Sequence, residues 1–224
     1  MKWEKCIFET LDSTNKMAKT QEVGAVVIAK SQTDGCGRYG HAWISPMGNL
    51  YMSVVMKMYG INTPLMTFVI AVSIVEALTK IGIFTTIKWP NDILLNDKKV
   101  AGILLECADD KLIVGIGVNV VSHPTENLPY PATDLNGQVS PEKLSDLILE
   151  SFDKYIEIFE TQGFDPIYRK MKSYLKGIGQ PVVVRLPNKR INGIFKDFGQ
   201  SGALILQLPD KTEREITAGS VFFI

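Results

Sequence analysis

Residues 88–106 read Lys88-Trp89-Pro90-Asn91-Asp92, then Ile93-Leu94-Leu95-Asn96-Asp97-Lys98, then Lys99-Val100-Ala101-Gly102-Ile103-Leu104-Leu105-Glu106. An apolar strand stops at a proline, an Asn-Asp pair follows, and the chain turns and returns as a second apolar strand. The strand residues are aliphatic and β-branched, and the breaks fall on Pro, Asn and Asp, so the stretch predicts a β-hairpin. Across it, the carboxylate of Asp92 and the ammonium of Lys99, seven residues apart, can face one pocket. Such a pair suits a reaction that holds anionic phosphates and also receives an amine. Taken alone, the stretch reads better as a hairpin with ordinary solvated turn charges; the rest of the chain reverses that.

Outward from the hairpin, Phe84 to Trp89, Ile93 to Leu95, Val100 to Cys107 and Leu112 to Val120 predict successive strands. Upstream, Ala25 to Lys30 and Leu50 to Lys57 predict two more, with a Gly-rich polar loop over 31–48 between them. Leu11 to Asn15 predicts a strand end followed by a polar cap opening a short helix. Pro64 is expected to open an apolar helix running to about Lys80. Pro141 to Thr161 carries Leu144, Leu147, Ile148, Phe152, Tyr155, Ile156 and Phe159 at helical spacing. Asp165 to Leu175 predicts a further helix, capped by its aspartate. Beyond Gly177-Ile178-Gly179 the texture changes to short strands: Val182–Val184, Arg190–Phe195, Ala203–Leu206 and Val221–Ile224. The fold class expected is therefore α+β: a mixed or antiparallel sheet with helices over residues 1–177, then a small SH3-like or OB-like β-barrel over 178–224.

Composition narrows the function classes. The 224 residues are 46% hydrophobic, enough for one good-sized core and a small second one. The charge balances at 24 basic and 24 acidic residues with no basic stripe, so nucleic acid is not the expected partner. Cys6, Cys36 and Cys107 are odd in number and widely spaced, which fits a reducing cytoplasm. With only His41 and His123, a His-rich metal site is excluded, and no metal ligands are assigned. Met1 to Lys5 lacks the apolar core of a signal peptide. The apolar run Leu65 to Leu78 is the length of a buried helix and too short for a membrane span.

One motif misleads. Gly35-Cys36-Gly37-Arg38-Tyr39-Gly40 matches G-x-G-x-x-G after a strand. A dinucleotide site also needs a helix start next and an acidic residue about twenty positions on. His41 to Gly48 is no helix start, and no Asp or Glu occurs between Asp34 and Glu76. The loop keeps a different chemistry. Its glycines allow backbone N–H groups close to a ligand, Arg38 can fork onto phosphate, and Trp43 offers a face to a base. Elsewhere, Gly115 and Gly117 interrupt an apolar strand, which weakens it unless something packs closely there.

In this order the segments resemble the biotin protein ligases, and the resemblance covers nearly the whole chain. It rests on Leu11 to Asn15, Gln32 ahead of Gly35–Arg38, Trp43 with Ser45 to Tyr51, Lys88 to Asp92, Lys99 to Glu106, and Gly115 to Asn119. The resemblance implies a class II synthetase-like catalytic domain and a two-step reaction. Biotin and MgATP give biotinyl-5′-adenylate and pyrophosphate; a lysine of a biotin carboxyl carrier protein then displaces AMP. It implies that Ser13, Thr14, Asn15 and Gln32 border biotin's ureido head, and that Gly35, Cys36, Gly37 and Arg38 wrap its carboxylate and the phosphates. It places Gly102, Leu104 and Gly115 along biotin, and Trp43, Asn91 and Asn119 on the adenylate side. It makes Lys99 the charge between carboxylate and α-phosphate, Asp92 the group that orients or deprotonates the incoming lysine, and Arg38 their catalytic companion. Two departures stand out: Cys36 and His41 occupy positions where the family usually carries arginine. The short stretch ahead of Ser13 implies a ligase without a DNA-binding domain. Neither DNA nor membrane is an expected partner, and a homodimer is compatible with the family. The same broad fold also serves lipoate and octanoate attachment, which is the alternative reading. A non-catalytic biotin- or adenylate-binding module and a nucleic-acid-binding barrel are the more distant ones.

Overall fold

The computed structural model describes residues 3–126, 128 and 130–224; Met1 and Lys2, part of the N-terminal stretch read above, lie outside the described residues. Strands β1 (Glu4–Leu11), β2 (Ala25–Gln32), β3 (Leu50–Lys57), β4 (Thr86–Lys88), β5 (Asp92–Leu95), β6 (Lys98–Ala108) and β7 (Lys111–Val118) form one sheet. Its order is β1-β2-β3-β7-β6-β5-β4, with β1 and β2 parallel and the other neighbours antiparallel.

Alternation along the strands gives the sheet two different faces. Met52, Val54, Val114, Ile116 and Ile103 point into the main core, against α2 (Met66–Thr79) and α3 (Pro141–Gln162). The intervening residues, Val27, Val55 and Ile113, pack with Ala18 of the short helix α1 (Thr14–Ala18) on the opposite side. That second face also carries Ser53, Gly115, Gly117, Gly102 and Leu104, in register across β3, β7 and β6. Apart from that small cluster the face is poor in apolar side chains, and the candidate site lies there.

A bulge decides where Lys99 goes. Ile93 pairs with Ala101 but Leu94 pairs with Lys99, so Val100 is the extra residue. Val100 and Ala101 both enter the core, and Lys99 is turned onto the face of Gly102. Bulges re-aim a side chain in this way beside functional sites.

Several expectations are adjusted. Pro64 sits inside a 3-10 turn, Gly60–Leu65, and the α-helix proper begins at Met66. The apolar stretch is longer than read: residues 62–79 have mean hydropathy 1.4, but 67% of that stretch is buried inside the protein, as befits a core helix. Helix α4 (Asp165–Tyr174) is not capped by Asp165; Phe164 occupies the cap position, and the Asp165 carboxylate accepts from Gln200 instead. In the C-terminal part, β8 (Pro181–Leu186), β9 (Lys189–Phe198), β10 (Leu204–Gln207), β11 (Glu213–Ile216) and β12 (Ser220–Phe223) pair as β11-β10-β9-β8-β12. The ladder stays an open sheet rather than closing. Strand β11 escaped the sequence reading because Glu213, Arg214 and Glu215 are all exposed and show no apolar alternation.

The C-terminal sheet is fastened next to the β4–β5 turn. The buried Trp89 indole donates to the Gly202 carbonyl at 3.0 Å, and the Lys176 amide donates to the Ile87 carbonyl at 2.9 Å. The Trp89–Pro90 peptide is cis.

Candidate active site

A cleft on the second sheet face gathers most of the residues singled out from the sequence. Its lining includes Ser13, Thr14 and Asn15 from the start of α1, Gln32 from β2, Cys36, Gly37 and Trp43 from the loop, and Asn91, Lys99, Gly102, Leu104 and Gly115 from the β4–β7 region. Gly35, Arg38, Asp92 and Asn119 are not on that lining, though Arg38 bonds to Asn91 and Asp92 to Lys99, both of which are.

The end formed by α1 is a network of neutral dipoles backed by one ion pair, Glu106 with Lys19. Gln32 Oε1 accepts from the Thr14 amide at 2.8 Å and from the Thr14 hydroxyl at 3.2 Å. Gln32 Nε2 donates to Ser45 Oγ at 2.9 Å, and Ser45 Oγ donates to the Trp43 carbonyl at 2.7 Å. The buried Ser53 hydroxyl lies 2.6 Å from Asn15 Oδ1 and 2.8 Å from Thr14 Oγ1. Asn15 Nδ2 donates to Glu106 Oε2 at 2.7 Å. Ser13 fills the N-cap position without a side-chain cap bond, so its hydroxyl is not consumed by the helix.

The floor explains the glycines. A Cβ on Gly115 would overlap the Asn15 amide, and one on Gly117 would lie 2.6 Å from the Trp43 ring. Their absence lets a polar side chain and an indole lie flat on the sheet. The Trp43 indole N–H is buried with no hydrogen-bond partner among the described residues.

The opposite end is fully charged. Residues directly opposite one another in an antiparallel sheet share a face. Lys88 pairs with Asp92, Asp92 with Gly102, and Gly102 with Gly117, which sets Lys88 and Asp92 on the cleft side. Lys99 Nζ is 2.6 Å from Asp92 Oδ1, and Lys88 Nζ is 2.9 Å from Asp92 Oδ2. Lys88 is 3% exposed and Asp92 9%. Burial alone would raise the Asp92 pKa, but the Lys99 and Lys88 ammoniums outweigh it and hold the carboxyl down to about 2. The Lys88 ammonium also faces the Tyr130 ring at 4.6 Å and the Phe222 ring of β12 at 5.8 Å.

The glycine loop is more ordered than its composition suggests. Cys36 bridges to Ala42, Gly37 N–H donates to the His41 carbonyl, and Trp43 N–H donates to the Gly35 carbonyl. Arg38 reaches Asn91 Oδ1 at 3.1 Å and the Gly219 carbonyl at 3.2 Å, tying the loop to the β4–β5 turn and the C-terminal sheet. Cys36 and His41 are exposed. Asn119 is 3% exposed and donates to the Thr133 carbonyl at 2.9 Å. With Lys99, whose backbone pairs with Pro131 and Thr133, it holds the 130–135 segment against the sheet.

Sequence reasoning assigned no role to Lys88, Ser53, Tyr51 or Glu106. Lys88 was visible beside Asp92 in the motif. Ser53 and Tyr51 had a weaker signal, being polar-tipped residues in a buried strand. The Biotin/lipoate A/B protein ligase family matches residues 7–121, and the Biotin protein ligase C terminal domain matches residues 177–224. A biotin--[acetyl-CoA-carboxylase] ligase from Paracoccus denitrificans is 35% identical, with 95% of this chain and 97% of that protein aligned. The bifunctional ligase/repressor BirA of Bacillus subtilis is also 35% identical, over 89% of this chain and 68% of that protein. The structure of the Aquifex aeolicus biotin protein ligase in complex with biotin and ATP superposes with a TM-score of 0.85 at 28% identity, covering 97% of each chain.

Proposed function

The chain belongs to the biotin/lipoate A/B protein ligase family, and we propose that it attaches biotin, at the expense of ATP, to a lysine of a biotin carboxyl carrier protein. The observation that carries this reading is one cleft with neutral hydrogen-bonding groups at one end and the Lys88–Asp92–Lys99 cluster at the other. A cyclic urea is neutral and rich in donors and acceptors, so it suits the Asn15 and Gln32 end. The acid's carboxylate and the nucleotide's α-phosphate are anions, so they suit the lysine end.

In the first step a biotin carboxylate oxygen attacks the α-phosphorus, and the bond to pyrophosphate breaks. Lys99, the more exposed of the two lysines on Asp92, offsets the negative charge that builds on the phosphoryl oxygens. Arg38, held by Asn91 and Gly219, lends a second cation at the rim. Magnesium is part of the substrate here, carried on the phosphates as MgATP. In the second step the carrier lysine gives up a proton to Asp92 or solvent, its free nitrogen attacks the acyl carbon, the acyl–phosphate C–O bond breaks, and AMP leaves. A carboxylate held near pKa 2 is a poor base but a good partner for an incoming ammonium. Once Lys99 turns to phosphate, Asp92 keeps only Lys88, its Oδ1 is freed, and its basicity rises.

We assign residues 1–177 to the catalytic unit and 178–224 to the C-terminal unit, and we place the protein in the cytoplasm, in keeping with its three free cysteines. Mass-spectrometric detection of biotinyl-adenylate after mixing the protein with biotin and MgATP tests the reading. Lipoate run in parallel separates the two acids. Adenylate from lipoate alone, or from neither acid, would overturn it.

A further inference from the structure

Glu106 lies outside the cleft lining but controls what the lining presents. It stands on the cleft face of β6, two residues beyond Leu104. Its carboxylate is shared between two residues one turn apart on α1 and its C-terminal cap. Oε2 accepts from Asn15 Nδ2 at 2.7 Å, and Oε1 accepts from Lys19 Nζ at 2.8 Å. Burial would raise its pKa, but Lys19 and Asn15 together bring it below the ordinary carboxylate value, so it is ionised at neutral pH.

An ionised carboxylate accepts and cannot donate. Asn15 must therefore turn its NH2 towards Glu106, which leaves its carbonyl oxygen against Ser53 and over Gly115, in the cleft. The two ends of a primary amide are nearly the same size, so packing alone hardly prefers one orientation. Electrostatics makes the choice. We propose that Glu106, braced by Lys19, is a positioning residue that fixes Asn15 with an acceptor facing the cleft and so selects an acid whose head bears N–H groups. The inference rests on the biotin reading, since biotin's ureido ring supplies such N–H groups.

Lys19 makes a discriminating test available. In Glu106→Gln the side chain keeps its shape but has a single oxygen, which the Lys19 cation claims. The glutamine NH2 then faces Asn15, and Asn15 turns its oxygen out and its NH2 into the cleft. Biotin affinity by calorimetry and KM for biotin should worsen about tenfold, the cost of one mismatched buried hydrogen bond. The kcat at saturating biotin and the KM for ATP should move by less than about twofold, because the charged end is untouched. In the double variant Glu106→Gln with Lys19→Met, the glutamine can turn its oxygen back to Asn15, and most of the lost affinity should return. Unchanged affinity in Glu106→Gln would overturn the inference. So would a double variant no better than the single one, since Glu106 would then merely brace α1. Absence of biotin binding by the unaltered protein would instead overturn the biotin reading, and this inference with it.

Discussion

Around Gln32 and Ser53 the contacts join neutral groups, whereas around Asp92 they join full charges. Both ends share one sheet face and one run of cross-strand pairs. Neutral dipoles are moderately costly to bury and read a donor–acceptor pattern. Buried ions are expensive and weak as a source of stability, so a protein keeps a lysine–aspartate–lysine cluster where chemistry requires it. The proposed function thus gives the first end the choice of acid and the second the chemistry performed on it. If that division is right, changes at the charged end alter rates and changes at the neutral end alter affinity for biotin.

The largest effect is expected at Lys99. Lys99→Ala removes the charge that the proposed mechanism sets against the reacting phosphate but leaves Asp92 its buried partner Lys88, so the fold should persist. Pyrophosphate release with biotin and ATP should fall on the order of a hundredfold or more, with biotin affinity much less affected. Near-normal turnover would sink the role given to Lys99.

Asp92→Asn should separate the half-reactions. Transfer from supplied biotinyl-adenylate to a carrier domain should slow by roughly ten- to a hundredfold beyond any loss in adenylation. Equal losses in both steps would instead make Asp92 structural. The same variant has a pH signature. The folded carboxyl is depressed from 3.8 to about 2, so its contribution to stability is complete above the ordinary value and lost as pH falls through about 2. The stability gap between the parent and Asp92→Asn should be constant near neutrality and close between about pH 4 and 2. A gap that persists at pH 2 would mean that Asp92 carries no charge-dependent share of stability.

The two ends also differed in how legible they were. The hairpin from Lys88 to Glu106 declared itself through its Pro, Asn and Asp breaks, and its strands fell within a few residues of their observed limits. Asp92 and Lys99 were paired by that reading, and the structure sets them 2.6 Å apart. What the sequence could not show was the bulge at Val100, since an extra residue in an apolar strand leaves alternation locally ambiguous. Lys88 stands in the same motif, but that it faces Asp92 directly depends on cross-strand register, which the motif does not show. At the neutral end, Ser13 to Asn15 and Gln32 stood out only as a familiar combination. Their partners Ser53 and Glu106 come from strands distant in sequence; Ser53 is a polar residue in a buried strand and Glu106 closes the Lys99 stretch, but nothing local shows what either one meets. Asn119 was legible as a polar residue ending a glycine-rich strand, but its hold on the Thr133 segment was not.

Two glycines sharpen the comparison at intermediate size. A Cβ at Gly115 meets the Asn15 amide first, while one at Gly102 lies 3.0 Å from the Trp43 ring and 3.2 Å from Lys99 Cε. Gly115→Ala should raise the KM for biotin about tenfold with little change in kcat, because it disturbs binding alone. Gly102→Ala should lower kcat, because it crowds the lysine that serves the phosphate. Matching profiles for the two variants would break the division between the ends.

Cys36 should give the smallest effect. It lies on the cleft lining but is exposed, where the biotin protein ligases this chain resembles usually carry arginine. The loop's shape is set by its backbone: the Cys36–Ala42 bridge and the Gly37-to-His41 bond do not depend on the side chain. Cys36→Arg therefore adds a cation with little rearrangement. Arg38 shows what a better-held cation looks like, since Asn91, Tyr39 and the Gly219 carbonyl all take its N–H groups. An arginine at 36 would have no such support and would stand in solvent, where a charge contact contributes only a few tenths of a kcal/mol. Biotinyl-adenylate should leave the variant more slowly by less than about threefold, and salt should erase the difference. A much larger, salt-resistant slowing would mean that the loop closes over the phosphate and buries position 36. Unchanged or faster release would mean that the phosphate does not pass this loop, and the cation work would then fall to Arg38 and Lys99 alone.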